Sequence, residues 1–303
     1  MRLTIRISKG NPWSAFFAAI VGLATTNAFG WGGLGHETLG VIASQLTSQR
    51  QDFWTANASH VGVLINVPDR KWKSETRKEN PTHYFSFDGY FTDARELSTF
   101  PRAYAEALRR YKSSQVLGNG TAPWRVQQLY EESVKAFRAG DHKTGLQMAG
   151  VMAHYIADLV QPLHVTKNYN GQKTGNHGIH SFFETTNVSD LDTEESISEV
   201  KARAAALLQR GELSAFSEMA TVEIGFAIVA DSAALATEVL ETDSKWGRKA
   251  EGAKIQRELA LERIARGAAI LALVFDRISE EGGITLEERI PAVPPPSWVP
   301  ASY

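Results

Sequence analysis

The chain has 303 residues, 43% hydrophobic and 22% charged, which supplies a large core and excludes a disordered or low-complexity chain. A formal net charge of −2 argues against a protein that grips polyanions through lysine and arginine alone; positive charge for any phosphate substrate would have to come from bound metal. The absence of cysteine excludes disulfides and thiolate metal sites, leaving histidine, aspartate and glutamate as ligands.

In chain order, Arg2, Arg6 and Lys9 precede an apolar run from Ala15 to Ala24, followed by Thr25, Thr26, Asn27 and the small residues Ala28 and Gly30. That order predicts a secretory signal over 1–30, with export to a periplasm or to the medium. The run is about ten residues, short of the roughly twenty that a spanning helix needs. Cleavage after Gly30 would make Trp31 the first residue and remove three positive charges, taking the remainder from −2 to about −5.

Trp31 to Gly35 is glycine-rich, and His36 to Leu46 has helical apolar spacing. Residues 54–87, interrupted by Pro68 and Pro81, read as helix ends and loops. Pro101 suits a first helical position, with Ala103, Tyr104, Ala107, Leu108 and Tyr111 forming the apolar face of the helix behind it. Further helices are predicted from Pro123 to Arg138, from an Asp141 cap to about Leu159, and from His180. The acidic stretch Ser189–Glu195 caps another that runs through Leu208 to Gly211, and Ser214–Leu240 and Trp246–Ile278 complete the set. No alternating strand series is visible, so the expectation is one all-α domain over 31–280, followed by a proline-rich tail over 281–303, either strapped down or loose.

The chemistry concentrates in His154-x3-Asp158-x5-His164 and His180-x3-Glu184. Residues four apart on a helix share a face, so each pair can offer an imidazole and a carboxylate to one divalent ion. Pro162 breaks the helix and turns His164 back towards the first pair. Such a pair taken alone is more often a surface ion pair; two pairs with a proline-placed histidine between them inside an apolar stretch point to metal.

The ordered set Trp31-Gly-Gly-Leu-Gly-His36, Asp69, Pro81-Thr-His83-Tyr84, His154-x3-Asp158-x5-His164 and His180-x3-Glu184 resembles the superfamily that joins fungal single-strand-specific zinc nucleases with bacterial zinc phospholipases C. The likeness runs from Trp31 to about Ile278 and takes in five of the eight histidines, leaving His60, His142 and His177 outside it. It implies an all-helical fold with three zinc ions in one cleft. One would be held by Asp69, His83, His154 and Asp158, and a second by His164, His180 and Glu184. The third would take the amine and carbonyl of Trp31, with His36, and share Asp158 as a bridge. The Trp31 amine is available only if the signal is cut directly before it, so processing would complete the site. The implied reaction is metal-assisted phosphodiester hydrolysis, in which zinc acidifies the attacking water and Asp69 orients it.

The surroundings separate the two branches. Only four residues part Trp31 from His36, as in the nucleases. Leu34 and Arg70 stand where the phospholipase choline pocket has Glu and Tyr, and Tyr84 matches the aromatic on which nucleases stack a base. Against this, Ser86 replaces a base-reading Asp of the fungal enzymes, Val67-Pro68-Asp69 replaces their Trp-Ala-Asp, and Glu184 is the phospholipase-like choice. Arg70, Lys71 and Lys73 could steady a phosphate, but the favoured reading is a solvated charged run. The favoured expectation is an endonuclease acting on single-stranded DNA or RNA. Phospholipase C is the alternative, and a non-catalytic helical zinc-binding module is the third possibility.

Overall fold

The computed structural model describes residues 31–303; the predicted signal segment and its cleavage lie outside the described residues. Over these residues the protein is all-α, and no strand is present among them. The helices are α1 (Gly33–Leu46), α2 (Gln51–Ala56), α3 (Ala58–Leu64), α4 (Lys73–Glu75), α5 (Tyr104–Arg110), α6 (Ser113–Asn119), α7 (Ala122–Arg138), α8 (His142–Val160), α9 (Ile179–Glu184), α10 (Glu194–Gln209), α11 (Thr221–Trp246) and α12 (Ala250–Gly282).

The centre of the molecule is α8. From Met148 to Val160 every residue is buried, as expected of a helix that is apolar all round. It begins where the Asp141 carboxylate accepts the Thr144 backbone N–H at 3.0 Å, and it ends before Pro162, which has no N–H to continue it. Around it pack α7, α3, α11 and α12, with α1 lying across α3 and α12. Aromatic side chains fill the far end of this core: Trp54 stacks on Phe275 with ring centroids 4.0 Å apart and donates its indole N–H to Ser279 at 2.8 Å.

Several boundaries differ from expectation, and two of them have a visible cause. The helix assigned to Pro101 starts at Tyr104, because the chain before it is occupied: the Arg102 carbonyl accepts the Trp124 indole N–H at 2.6 Å, and the Arg102 guanidinium pairs with Glu223 at 2.8 Å. The helix expected over Ser214–Leu240 divides into a single 3₁₀ turn at Ser214–Ser217 and α11. At the break, Arg277 donates to the Met219 carbonyl at 2.7 Å, satisfying an acceptor the helix leaves open.

The segment after α12 is a strap. Its backbone carbonyls at Ile290, Pro294, Pro296, Val299 and Pro300 accept hydrogen bonds from His60, Gln147, Trp72, Arg125 and Gln128 respectively. Proline cannot donate, so a proline-rich segment docks through its acceptors, and the side chains beneath supply the donors.

Trp54→Ala should cost about 3–5 kcal/mol, the usual range for deleting a buried tryptophan. Urea denaturation followed by far-ultraviolet circular dichroism measures it, and a loss below about 1 kcal/mol would contradict the packing described.

Candidate metal centre

Helix geometry and one proline place the ligand candidates. His154 and Asp158 lie one turn apart on α8, both fully buried, with His154 Nε2 3.2 Å from Asp158 Oδ2. After Pro162 the chain turns through Pro162–Val165, and His164 donates its Nδ1–H to the His83 carbonyl at 2.8 Å. The return hydrogen bond, from the Phe85 N–H to the His164 carbonyl at 3.1 Å, locks the His83 segment to that turn. Asp69 sits in a widened π-helical turn, Pro68–Trp72, that follows α3 and carries its carboxylate to the side of α8. His180 and Glu184 stand one turn apart on α9, 3.0 Å between Nε2 and Oε2. The N–H of Gly32 donates to the Glu184 carbonyl at 3.1 Å, which ties the start of the described chain to the same place. Glycine is required there, since a Cβ on residue 32 would lie 2.7 Å from the Thr185 hydroxyl.

Three groups of donors result. In the first, His83 Nδ1 is 2.9 Å from both His154 Nε2 and Asp158 Oδ2, and Asp69 Oδ1 is 3.6 Å and 3.7 Å from the two imidazole nitrogens. Two ligands each about 2.0–2.1 Å from one tetrahedral ion stand roughly 3.3–3.4 Å apart, so the atoms of Asp69, His83 and His154 are near enough to share a cation, with Asp158 Oδ2 beside the two imidazoles. In the second, Nε2 of His164 and of His180 face Glu184 Oε2 at 3.7 Å and 3.0 Å. Three protein donors leave a position of such an ion open. In the third, His36 Nε2 is 3.4 Å from Asp158 Oδ1, while the Trp31 carbonyl oxygen lies against the other ring nitrogen, His36 Nδ1.

His154 is near enough to join the third group as well as the first. Its Nδ1–H is committed to the Ile65 carbonyl at 2.8 Å, leaving Nε2 as a single lone pair; that atom's nearest donors belong to the first group. Asp158 has no such restriction. Its Oδ2 faces the first group and its Oδ1 the third, the arrangement of a bridging carboxylate.

Backbone carbonyls fix the imidazole tautomers. His154, His164 and His180 each donate Nδ1–H to a carbonyl, of Ile65, His83 and Tyr169, so in each the nitrogen turned to the donor groups is Nε2. Nε2 of His36, His164 and His180 and Oδ1 of Asp158 are buried without a hydrogen-bond partner. Leaving such atoms unpaired costs roughly 1–3 kcal/mol each, and a cation among them removes that cost. Three buried His/Asp/Glu groups that could hold metal ions are therefore a property of the fold.

The same crowding shifts the titrations. Burial disfavours the Asp69 carboxylate, but His154, Lys73 and His83 outweigh it and lower its pKa to about 2. Burial likewise opposes ionisation of Asp158, and His154 and His164 overcome it, holding it well below the usual carboxylate range. Burial disfavours protonated His164, yet Asp158 and Glu184 outweigh it and raise its pKa to about 9.

Beside the metal groups a cleft of about 350 Å³ opens, walled by Tyr84 and Tyr169 and reached by Lys73 and Lys167. Of the nine residues expected from the sequence as ligands, eight fall in the three groups, with His83, His164 and His180 lining the cleft, and Trp31 lies against His36. His60, His142 and His177 do not join them; His60 binds the strap and His177 is exposed. The charged run divides: Arg70 is exposed, Lys71 donates to Pro296 of the strap at 3.1 Å, and Lys73 reaches Asp69 Oδ1 at 2.6 Å. Only Arg70 is solvated as expected, because the turn at 68–72 rotates its neighbours to other sides. Sequence reasoning missed Tyr169 and Gln161. Gln161 donates to Glu184 Oε2 at 3.1 Å and, as the residue before Pro162, was open to notice as a cap; Tyr169, in a loop, carried no spacing signal.

No protein-family model matches the chain, and no curated protein matches it in sequence.

Divalent metal must displace the proton that His164 holds up to about pH 9. In the metal-free protein a raised histidine pKa contributes stability that is fully present below its ordinary value of 6.5 and lost as pH rises through about 9. Binding at pH 7 should therefore release protons, and affinity should rise with pH towards 9. Calorimetric titration in two buffers of different ionisation enthalpy measures the release; identical binding enthalpies in both would contradict it.

Proposed function

We propose that the chain is a zinc-dependent phosphodiesterase of the single-strand-specific nuclease and phospholipase C superfamily, acting as an exported endonuclease on single-stranded DNA or RNA and leaving 5′-phosphate products. One observation supports this reading above the rest: residues singled out by the resemblance, up to 148 positions apart in the sequence, come together as donors beside one cleft whose walls are two tyrosines. His, Asp and Glu donors without thiolate, with one group of only three, suit catalytic zinc.

Zinc held here supplies concentrated positive charge and acidifies water towards neutral pH. The chain's own residues do the rest. Asp69, kept ionised, accepts a hydrogen bond from the attacking water and aims its oxygen at phosphorus; Lys73, 2.6 Å from Asp69 Oδ1, fixes that carboxylate and adds charge at the cleft. Asp158 holds two donor groups at a set separation through its two oxygens. His164, His180 and Glu184 lie on the leaving-group side, and Gln161 holds Glu184 in orientation. Tyr84 and Tyr169 offer ring faces to a base, the sequence-tolerant way to hold an unpaired strand. The Trp31 amine would join its carbonyl at the third group once the chain is cut before it, so the uncut precursor should be inactive.

Side-by-side assay of single-stranded DNA, single-stranded RNA and phosphatidylcholine, each with a chelated control, tests the substrate class. Chelator-sensitive cleavage of nucleic acid is expected, and Asp158→Ala should abolish it; cleavage of lipid alone would make the protein a phospholipase C, and no turnover with zinc bound would make it a binding module.

Stacking is worth about 1–3 kcal/mol per base, so Tyr84→Ala should weaken nucleotide binding roughly 5- to 150-fold with metal content unchanged. Equilibrium binding of a non-hydrolysable oligonucleotide measures this, and undiminished affinity would remove Tyr84 from the base site.

A further inference from the structure

His83 turns its Nδ1 to the first metal group, so its ring proton belongs on Nε2. That nitrogen is buried and has no hydrogen-bond partner; the acceptor facing it, at 3.6 Å, is Glu79 Oε1. Glu79 is fully buried at the other end of the same 3₁₀ segment, Arg77–His83, and plays no part in the ligand groups.

A buried carboxylate needs its lone pairs met, and here the donors divide by origin. Oε1 accepts from the Thr82 hydroxyl at 2.8 Å and from the Tyr155 hydroxyl, both close in the fold to His83. Oε2 accepts from Arg125 at 3.2 Å and from the indole N–H of Trp298 at 2.8 Å. Trp298 belongs to the strap. Arg125, itself fully buried between the rings of Trp72 and Tyr155, is held by the strap as well, donating to the Val299 carbonyl at 2.7 Å. Trp72 in turn donates to the strap at Pro296. Both donors to Oε2 of the Glu79 carboxylate therefore depend on residues 296–299.

We propose that Glu79 is a positioning residue for the metal held by His83, and that the strap, through Trp298 and Arg125, sets its aim. Carboxylate, imidazole and metal form a relay in which Glu79 accepts the His83 Nε2–H, fixes the ring and strengthens Nδ1 as a donor. The strap is then part of the metal centre although none of its residues reaches the metal. This rests on the reading that His83 holds a metal, and the two are tested separately.

Co2+, whose visible absorption reports ligand geometry, is titrated into the wild-type full chain, and affinity is measured by competition with a chelator. Wild-type protein that takes up no Co2+ overturns the metal reading and the relay with it. Given uptake, Glu79→Gln should weaken one metal of the set by about 10–100-fold and shift the absorption band, leaving the other metals in place. Trp298→Phe, which keeps an aromatic ring and loses only the N–H, should shift the same band with a smaller loss, and it decides the matter if Glu79→Gln fails to fold. Tyr303→Phe, which removes the strap's 3.1 Å hydrogen bond to Thr121 and none of the hydrogen bonds to Glu79 or Arg125, should leave band and affinity unaltered. A folded Trp298→Phe protein with a lower Tm but the wild-type band and affinity would overturn the proposal, because a purely structural strap gives that result.

Discussion

Asp158 is a carboxylate with no exposed surface, set in the last turn of the buried helix α8 and surrounded within 3.6 Å by nitrogens of His36, His83, His154 and His164. An isolated ionised carboxylate in such a place is far too costly to keep, and a fold that merely needed stability would use an aliphatic residue. The rest of the structure is arranged around keeping it. Four separate segments, α1, the π-turn, the His83 turn and the loop after Pro162, each bring one donor towards α8 and anchor it by a backbone hydrogen bond or a turn.

Much of this was legible because the relevant signals are local. His154 and Asp158 are four apart in an apolar helix, Pro162 ends that helix, and Asp141 caps its start; each is a short-range rule that tertiary packing had no reason to override. The same holds for α7, α10 and the bulk of α12, whose limits fall at Gly140, Gly211 and Gly283, all in the left-handed region. Pro101 shows where local rules fail. The residue could have opened a helix, but the Arg102 carbonyl was required by Trp124, more than twenty positions away, and the helix gave way.

The residues that escaped sequence reasoning share one trait: their roles exist only through partners distant in the chain. Lys73 looks like one of three surface charges until the π-turn sets it against Asp69. Tyr169 sits in an irregular loop and becomes a cleft wall because its carbonyl accepts from His180. Glu79 is separated from His83 by the same four positions as the other acid–histidine pairs, but Pro81 between them removes the regular helix on which that spacing was being read. The proline-rich segment carries no periodicity at all. Its acceptors find their donors on α3, α7, α8 and the π-turn, and nothing in its own composition specifies them.

The question of charge connects the site to the whole chain. Asp69, Asp158 and Glu184 are all held ionised below their ordinary pKa, so three carboxylates answer the positive charges of His164 and Lys73 before any metal ion is counted. Lys73 is paired with one of them, and Lys167 stands at the rim, its charge disfavoured by partial burial. A phosphate diester meeting that surface alone would find its positive charges already answered by carboxylates, and a chain of net charge −2 provides no distant field to add to them. Divalent cations among the donors reverse the sign locally: two already exceed the three carboxylates, and the attraction acts in a partly dehydrated cleft where it is least screened. On this reading metal is needed to admit the substrate as well as to activate water, and the chain can remain acidic elsewhere without loss.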